Sequence, residues 1–476
     1  MKVLLINPPY DIQRYMGKLS KIAFIFQPIG LTYIASYLRS RGTEARIVDC
    51  QIESKSIQKI TREYNPDVIG ITCTTFLVSS TLELSRIIKK EFPKSTIIVG
   101  GIHPTIRPND ILEEKAVDYV AIGEGEITMH EFVQALENGT DPLLVPGIAC
   151  KREGRIFSAP PRGLVKDIDF FPSPDLDDLM REGYQTSPDT RTGDKVGVIL
   201  TSRGCPFDCI FCANRLLTQG KYRTHSINRV CSEIERLISA HGVTQLFIQD
   251  DNFAADKKRA KQLCREFIKR KYNEKVSWWA EARVDCVDEE LLSLMAEANC
   301  RIISYGLESG SQRLLDLIQK GVTLDQVRRA VALTKTVGID IRASFILGLP
   351  TETREETMQT IKFAKELEID QVRFALATPF PGTKLWDIAQ QEGSLDFSDW
   401  RRFSLMSGYA KGMPVYAPRG RDPREMARFQ RYANLSFYLR PRIILVFLRR
   451  IRGWQSFKAI ALGSLKFIKA SLLPDH

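Results

Sequence analysis

Two runs of apolar segments, each segment followed by an amphipathic helix, leave few folds open to this 476-residue chain. In residues 1–140 the segments are "KVLLINPP", "EARIVDC", "DVIGITCTT", "STIIVGGIHPT" and "DYVAIGEGE". Helices such as "GLTYIASYLRSRG" and "SSTLELSRIIKKEFP" separate them. Strands that are apolar throughout must be covered on both faces. Alternation with helices therefore predicts a doubly wound parallel sheet of flavodoxin or Rossmann type. In such sheets ligands bind beyond the carboxyl ends of the strands, here the loops "NPPY", "CTT", "GGIHPT" and "GEGE". Residues 141–195 read as a turn-rich linker that includes a small hairpin. In residues 196–390 six strand–helix units follow in order, from "KVGVILTSRG" to "QVRFALATPFPGT". That pattern predicts a full or partial β/α barrel with its working groups at the strand C-termini. Residues 391–476 read as a helical C-terminal region. The fold class is α/β: a doubly wound sheet, a partial barrel and a helical tail.

Charge narrows the partners. Residues 436–476 hold eight Lys/Arg against Asp475 alone, a balance of +7 out of the net +11. The rest of the chain is near neutral, which argues against a nucleic-acid protein with a broad basic face. The tail "PRIILVFLRRIRGWQSFKAIALGSLKFIKASLL" contains no apolar run near the ~20 residues that span a bilayer. On a helix, Ile444, Phe447, Leu448 and Ile451 share a stripe that Trp454 continues. Two readings stay open: an interfacial helix on anionic lipid, and a helix pair docked on the protein's own body. The start, "MKVLLINPPY", reads as a buried strand and loop rather than a signal peptide. A reducing cytosol therefore fits, and peripheral membrane contact through the tail is expected only on the first of those two readings.

In that compartment clustered cysteines serve metal or redox chemistry more often than bridges. The stretch "GCPFDCIFC" places Cys205, Cys209 and Cys212 in a loop directly after the first strand of the second series. A structural zinc site takes four protein ligands, and no second pair lies near. An Fe–S cluster takes four thiolates; three leave one iron open to a substrate or cofactor.

The spacing C-x3-C-x-aromatic-C, with Phe211 as the aromatic, resembles the radical S-adenosylmethionine (SAM) superfamily. The resemblance implies a [4Fe-4S] cluster on Cys205, Cys209 and Cys212. SAM would chelate the open iron, and its reduction would give a 5′-deoxyadenosyl radical. It further implies contacts to SAM at successive strand ends. Asp250 and Asp251 in "FIQDDNF" would present carboxylate or backbone acceptors to its ammonium, and Arg283 in "WAEARVD" would pair with its carboxylate. Glu308 in "GLESGS" would reach the ribose or amino group, and Gly348 in "ILGLPTE" would let backbone approach the adenine.

The first 140 residues resemble the cobalamin-binding domain of class B radical SAM enzymes, on "LLINPP", "PDVIGITCTT", "VGGIHPT" and "DYVAIGEGE". The resemblance implies a corrin in a crevice flanked by Thr74, Thr75, Gly100, Gly101 and Gly125, with Glu124 and Glu126 at its rim. Relatives that ligate cobalt from below carry D-x-H-x-x-G after the first strand. Here that loop reads "NPPYDIQRYMG" and has no histidine, so base-off, His-off cobalamin is expected, with Tyr10 as a candidate neighbour. His103 matches the G-G-x-H of the family and is expected at the corrin periphery or loop backbone.

The leading functional reading is radical hydrogen abstraction followed by methyl transfer from methylcobalamin to a small-molecule substrate. A flavodoxin- or ferredoxin-type donor would reduce the cluster, and the tail suggests that the substrate is lipophilic. The chain also resembles the anaerobic magnesium-protoporphyrin monomethyl ester cyclase group, whose oxidative, non-methylating chemistry is the alternative. An RNA methylthiotransferase needs further clustered cysteines, but Cys50, Cys73 and Cys150 are far apart. A cobalamin or redox sensor would need an output domain, and none is apparent in the sequence.

Overall fold

A computed structural model describes residues 1–11, 25, 27–184, 192–193, 195–392, 394–405, 407, 409 and 413–449. The chain divides into two units, one made of Met1–Tyr10 and Ile25–Tyr184, the other drawn from the remainder.

In the first unit the apolar segments form β1 (Lys2–Asn7), β2 (Glu44–Asp49), β3 (Val68–Thr72), β4 (Thr96–Gly100) and β5 (Tyr119–Ala121). They are parallel and ordered β2-β1-β3-β4-β5. The order reverses at β1 and β3, so a crevice opens at their carboxyl ends. The helix Ile29–Ser40 buries Leu31, Ala35 and Leu38 against the sheet. It stops at Gly42, whose φ of +84° suits the left-handed position that ends helices. The helix Gly125–Glu137 packs beside it and adds Met129, Phe132 and Val133 to the same core.

The linker expected at 141–195 is corrected in its first part. The hairpin read there forms β6 (Ile148–Arg152) and β7 (Arg155–Ser158), which extend the sheet antiparallel from β5. Asp175 and Asp178 then accept from Arg39, and Tyr184 donates to Asp49, so the segment through Tyr184 belongs to this unit.

The second unit begins with β8 (Val196–Ile199). A short antiparallel ribbon follows, β9 (Ser202–Arg203) with β10 (Arg223–Thr224). Next come β11 (Gln245–Ile248), β12 (Ser277–Ala282), β13 (Cys300–Glu308), β14 (Asp340–Leu347) and β15 (Gln371–Leu376). The six long strands are parallel in the order β8-β11-β12-β13-β14-β15. The sheet does not close, since β8 and β15 stand at opposite edges: a partial barrel. Its helices begin where the sequence signals them. Ser226, Asp256 and Asp288 cap their helices, and Thr323 and Thr353 form capping boxes with Gln326 and Glu356.

The helix Pro423–Tyr438 covers the β15 edge. Gln430 donates to the carbonyl of Phe374 and Tyr438 to that of Val372, both at 2.7 Å. The helix Pro441–Arg449 follows, with Ile444 exposed. Phe447 and Leu448 lie on the same helix; Ile451 and Trp454, which complete the apolar stripe read in the tail, and the tail's membrane contact lie outside the described residues. Among the described residues no helix is long and apolar enough to cross a membrane.

Candidate active site

The cysteine loop is fixed from below by a buried carboxylate. Asp250, just past β11, accepts from the backbone N–H of Thr201 (2.6 Å) and Ser202 (3.0 Å) and from both their hydroxyls (2.6 and 2.7 Å). All three residues are almost fully buried. The expected contact of the Asp250 carboxylate with the SAM ammonium is corrected: its acceptor sites are spent inside the fold, where it anchors the exit of β8. Asp251 is exposed, and one of its oxygens accepts from Gly204 N at 2.9 Å. Gly204 has φ +96°, and a Cβ there would lie 2.1 Å from the Lys221 carbonyl, so only glycine fits this turn into the loop.

Beyond Gly204, Ile210 is buried and tied at both ends, its N–H to Ile318 O and its carbonyl to Leu385 N. Cys205 and Cys209 are half-buried and Cys212 exposed. Burial pushes the Cys205 thiol up. A coordinating iron reverses this, because a ligating thiol is held deprotonated. Among the described residues no three His, Cys, Asp or Glu side chains converge as ligands of a single ion. Three thiols spread along one anchored loop fit a multi-iron cluster that takes one thiolate per corner.

Arg283, at the end of β12, is also placed differently from expectation. Its guanidinium pairs bidentately with Asp285 (3.0 and 2.9 Å), donates to Lys320 O and lies 3.5 Å from Cys209 Sγ. It also stacks 3.7 Å over the Phe207 ring. It is thus engaged with the cysteine loop rather than held open for a carboxylate. Glu308 ends β13 with φ +62°, a strained value for a non-glycine residue. It is buried and pairs at 2.7 Å with Lys320, which is buried too and sits 5.9 Å from the Phe211 ring. Gly348 has φ +81°, which explains the glycine. The place of its absent Cβ faces Met426 and Pro418, not open space.

Sequence reasoning missed the barrel interior. Trp278 packs outward on Phe253 and Phe267, so strand alternation sends Trp279 and Glu281 inward. By register, Ser304 and Arg342 lie across from Glu281, and Ser344 and Arg373 pair one step further along. Glu281 keeps accessible surface deep within the unit, as a side chain lining a hollow does. Burial raises its carboxyl, and Arg342 and Arg373 oppose that rise. Closed barrels fill this space with branched apolar residues; here it is polar, as a charged ligand such as SAM requires. The period-2 polar positions in these strands were a signal for it.

In the first unit the carboxyl-end loops bring the predicted residues together. Cys73 N donates to Gly100 O at 2.7 Å, and a Cβ on Gly101 (φ +114°) would lie 2.7 Å from Cys73 O. His103 is buried between Thr75 Oγ1 (3.3 Å from Nδ1) and Asp110 (3.4 Å from Nε2). Burial alone would raise Asp110, but His103 and the bidentate Arg107 hold its carboxyl below the usual range. Tyr10 lies against Phe76 at 5.1 Å. Two features fit a corrin and its side chains: the buried Thr74 hydroxyl makes no hydrogen bond, and open space lies where Gly123 lacks a Cβ. Glu124 stands at the N-cap of the Gly125–Glu137 helix, and Glu126 is buried in its first turn. Gly125 serves packing instead, since a Cβ there would press on Ile34 at 2.7 Å.

Comparison with known proteins agrees with both halves. The B12 binding domain family matches residues 18–133 and the Radical SAM superfamily residues 199–364. An uncharacterized methyltransferase of Pyrococcus horikoshii is 35% identical over 451 residues, 94% of each chain. The anaerobic magnesium-protoporphyrin IX monomethyl ester cyclase of Rubrivivax gelatinosus is 30% identical over 90% of this chain and 75% of its own. The fold is similar to that of the radical SAM methyltransferase TsrM from Kitasatospora setae, solved with cobalamin and a [4Fe-4S] cluster bound. The TM-score is 0.72 at 19% identity, over 98% of both chains.

Proposed function

Because this chain belongs to the cobalamin-binding radical SAM enzymes, we propose that it methylates a carbon of a small-molecule substrate. The observation that carries the reading is the anchored three-thiol loop at the mouth of a polar partial barrel, in a chain that also has a B12 binding domain. When bound, the cluster and SAM supply a 5′-deoxyadenosyl radical and methylcobalamin supplies the methyl group.

The chain's own residues bind and orient. Cys205, Cys209 and Cys212 hold the cluster. Asp250 and Gly204 set the path of their loop. Asp251, Glu308 and the interior charges Glu281, Arg342 and Arg373 surround the space for SAM. Thr74, Gly101, Gly123 and the Thr75–His103–Asp110 network shape the cobalamin crevice. An external flavodoxin- or ferredoxin-type protein reduces the cluster. The basic segment 436–476 supports a lipophilic substrate met at a membrane surface.

The test is anaerobic turnover with methyl-labelled SAM and lipid, tetrapyrrole and peptide extracts. Label in a product is expected. 5′-Deoxyadenosine formed without label in any product would favour the second reading, an oxidative cyclase, which the relative in Rubrivivax gelatinosus supports.

A further inference from the structure

We propose that Arg283 tunes the iron–sulfur cluster: it is a fixed, charged hydrogen-bond donor to the Cys209 ligand that raises the cluster's reduction potential. The inference rests on the reading that the loop carries a cluster. The guanidinium is held at two of its three nitrogens and over one face. Asp285 takes Nε and Nη2, and the Lys320 carbonyl also takes Nη2. Phe207 covers one face of the plane at 3.7 Å. What remains is Nη1, which points at Cys209 Sγ from 3.5 Å. Arg283 is only 5% exposed, so water screens this contact little.

Cys209 has this cationic side chain 3.5 Å from its sulfur, and the same charge also acts on Cys205. Reduction adds negative charge to the cluster and its sulfurs. A positive donor fixed on one sulfur therefore favours the reduced form, and hydrogen bonds to the sulfurs are a known lever on potential. Phe207 belongs to the same loop, so the stacking couples loop placement to the donor. A lysine at 283 would keep the charge but lose the planar fork that binds Asp285 bidentately and stacks on the ring.

The test is an EPR-monitored redox titration of the reconstituted full chain and its Arg283→Gln and Arg283→Lys variants, with SAM affinity measured in parallel. Loss of the charged donor is expected to shift the reduction equilibrium about tenfold toward the oxidised cluster, or about 59 mV for one electron. Arg283→Lys is expected to fall between wild type and Arg283→Gln, with SAM affinity unchanged. Wild-type potential in either variant overturns the proposal. So does wild-type potential with weakened SAM binding, which would return Arg283 to the SAM carboxylate. Failure of both folded variants to take up iron also overturns it, leaving a purely structural role. A wild-type chain that binds no iron refutes the cluster reading itself, a separate result.

Discussion

Asp250 separates a scaffold from a ligand contact, because the two roles respond oppositely to its removal. Asp250→Ala leaves the N–H groups of Thr201 and Ser202 buried without acceptors. Each such orphan costs about 1–3 kcal/mol, so about 4 kcal/mol is expected for the pair. Asp250→Asn should cost less, about 1–2 kcal/mol. Its remaining oxygen can serve both N–H groups, and the Thr201 and Ser202 hydroxyls can turn to accept from the amide. The graded loss should appear in urea unfolding of the second unit, and as a fall in melting temperature of about 10 °C for the alanine variant. Iron and sulfide per chain after anaerobic reconstitution should fall in the same order, since the anchored backbone leads directly into Cys205. If Asp250→Ala unfolds within about 0.5 kcal/mol of wild type and loads iron normally while SAM binds more weakly, the scaffold reasoning is wrong.

Glu352 gives a pH signature. Burial raises its carboxyl from 4.5 to about 7, against hydrogen bonds from Thr357, Leu349 and Gly348 and the charge of Arg421. The folded state therefore holds a proton that the unfolded state releases at lower pH. Stability is full below about pH 4.5 and declines as pH rises to about 7, by roughly 3 kcal/mol. Unfolding free energies across that range should show the slope, and Glu352→Gln should flatten it. Gly101→Ala must place a Cβ 2.7 Å from Cys73 O at φ +114°. A loss of at least about 2 kcal/mol in the first unit is expected, with cobalamin affinity reduced in titrations followed by absorbance. Lys320→Met strands the buried Glu308 charge. It should cost about 3–5 kcal/mol in urea unfolding, and Glu308→Gln in the same chain should recover part of that loss.

The strand–helix units and the cysteine loop were legible because their signals are local: continuous apolar runs, caps such as Thr323 and Thr353, and a spacing within nine residues. Roles that depend on partners far along the chain were not. Asp250 meets Thr201 and Ser202 across 49 and 48 residues, and Arg283 meets Cys209 across 74. Sequence identifies such side chains as polar and near the site but cannot say which of them the fold itself consumes. The interior charges illustrate a third case. Glu281, Arg342 and Arg373 stand at alternate positions in visible strands, yet which face looks inward follows only from the order of all six strands. β6 and β7 were recognisable as a hairpin, but their addition to β5 is a tertiary event that short-range pattern does not encode.

The claim on which the rest depends is that three thiolates hold a cluster whose remaining iron takes SAM. EPR spectroscopy of the dithionite-reduced, reconstituted enzyme, recorded with and without SAM, tests it most directly. The account predicts a [4Fe-4S] spectrum that changes when SAM is added and that is lost in Cys205→Ala, Cys209→Ala and Cys212→Ala. A cluster spectrum indifferent to SAM, or one that survives removal of these cysteines, would contradict it.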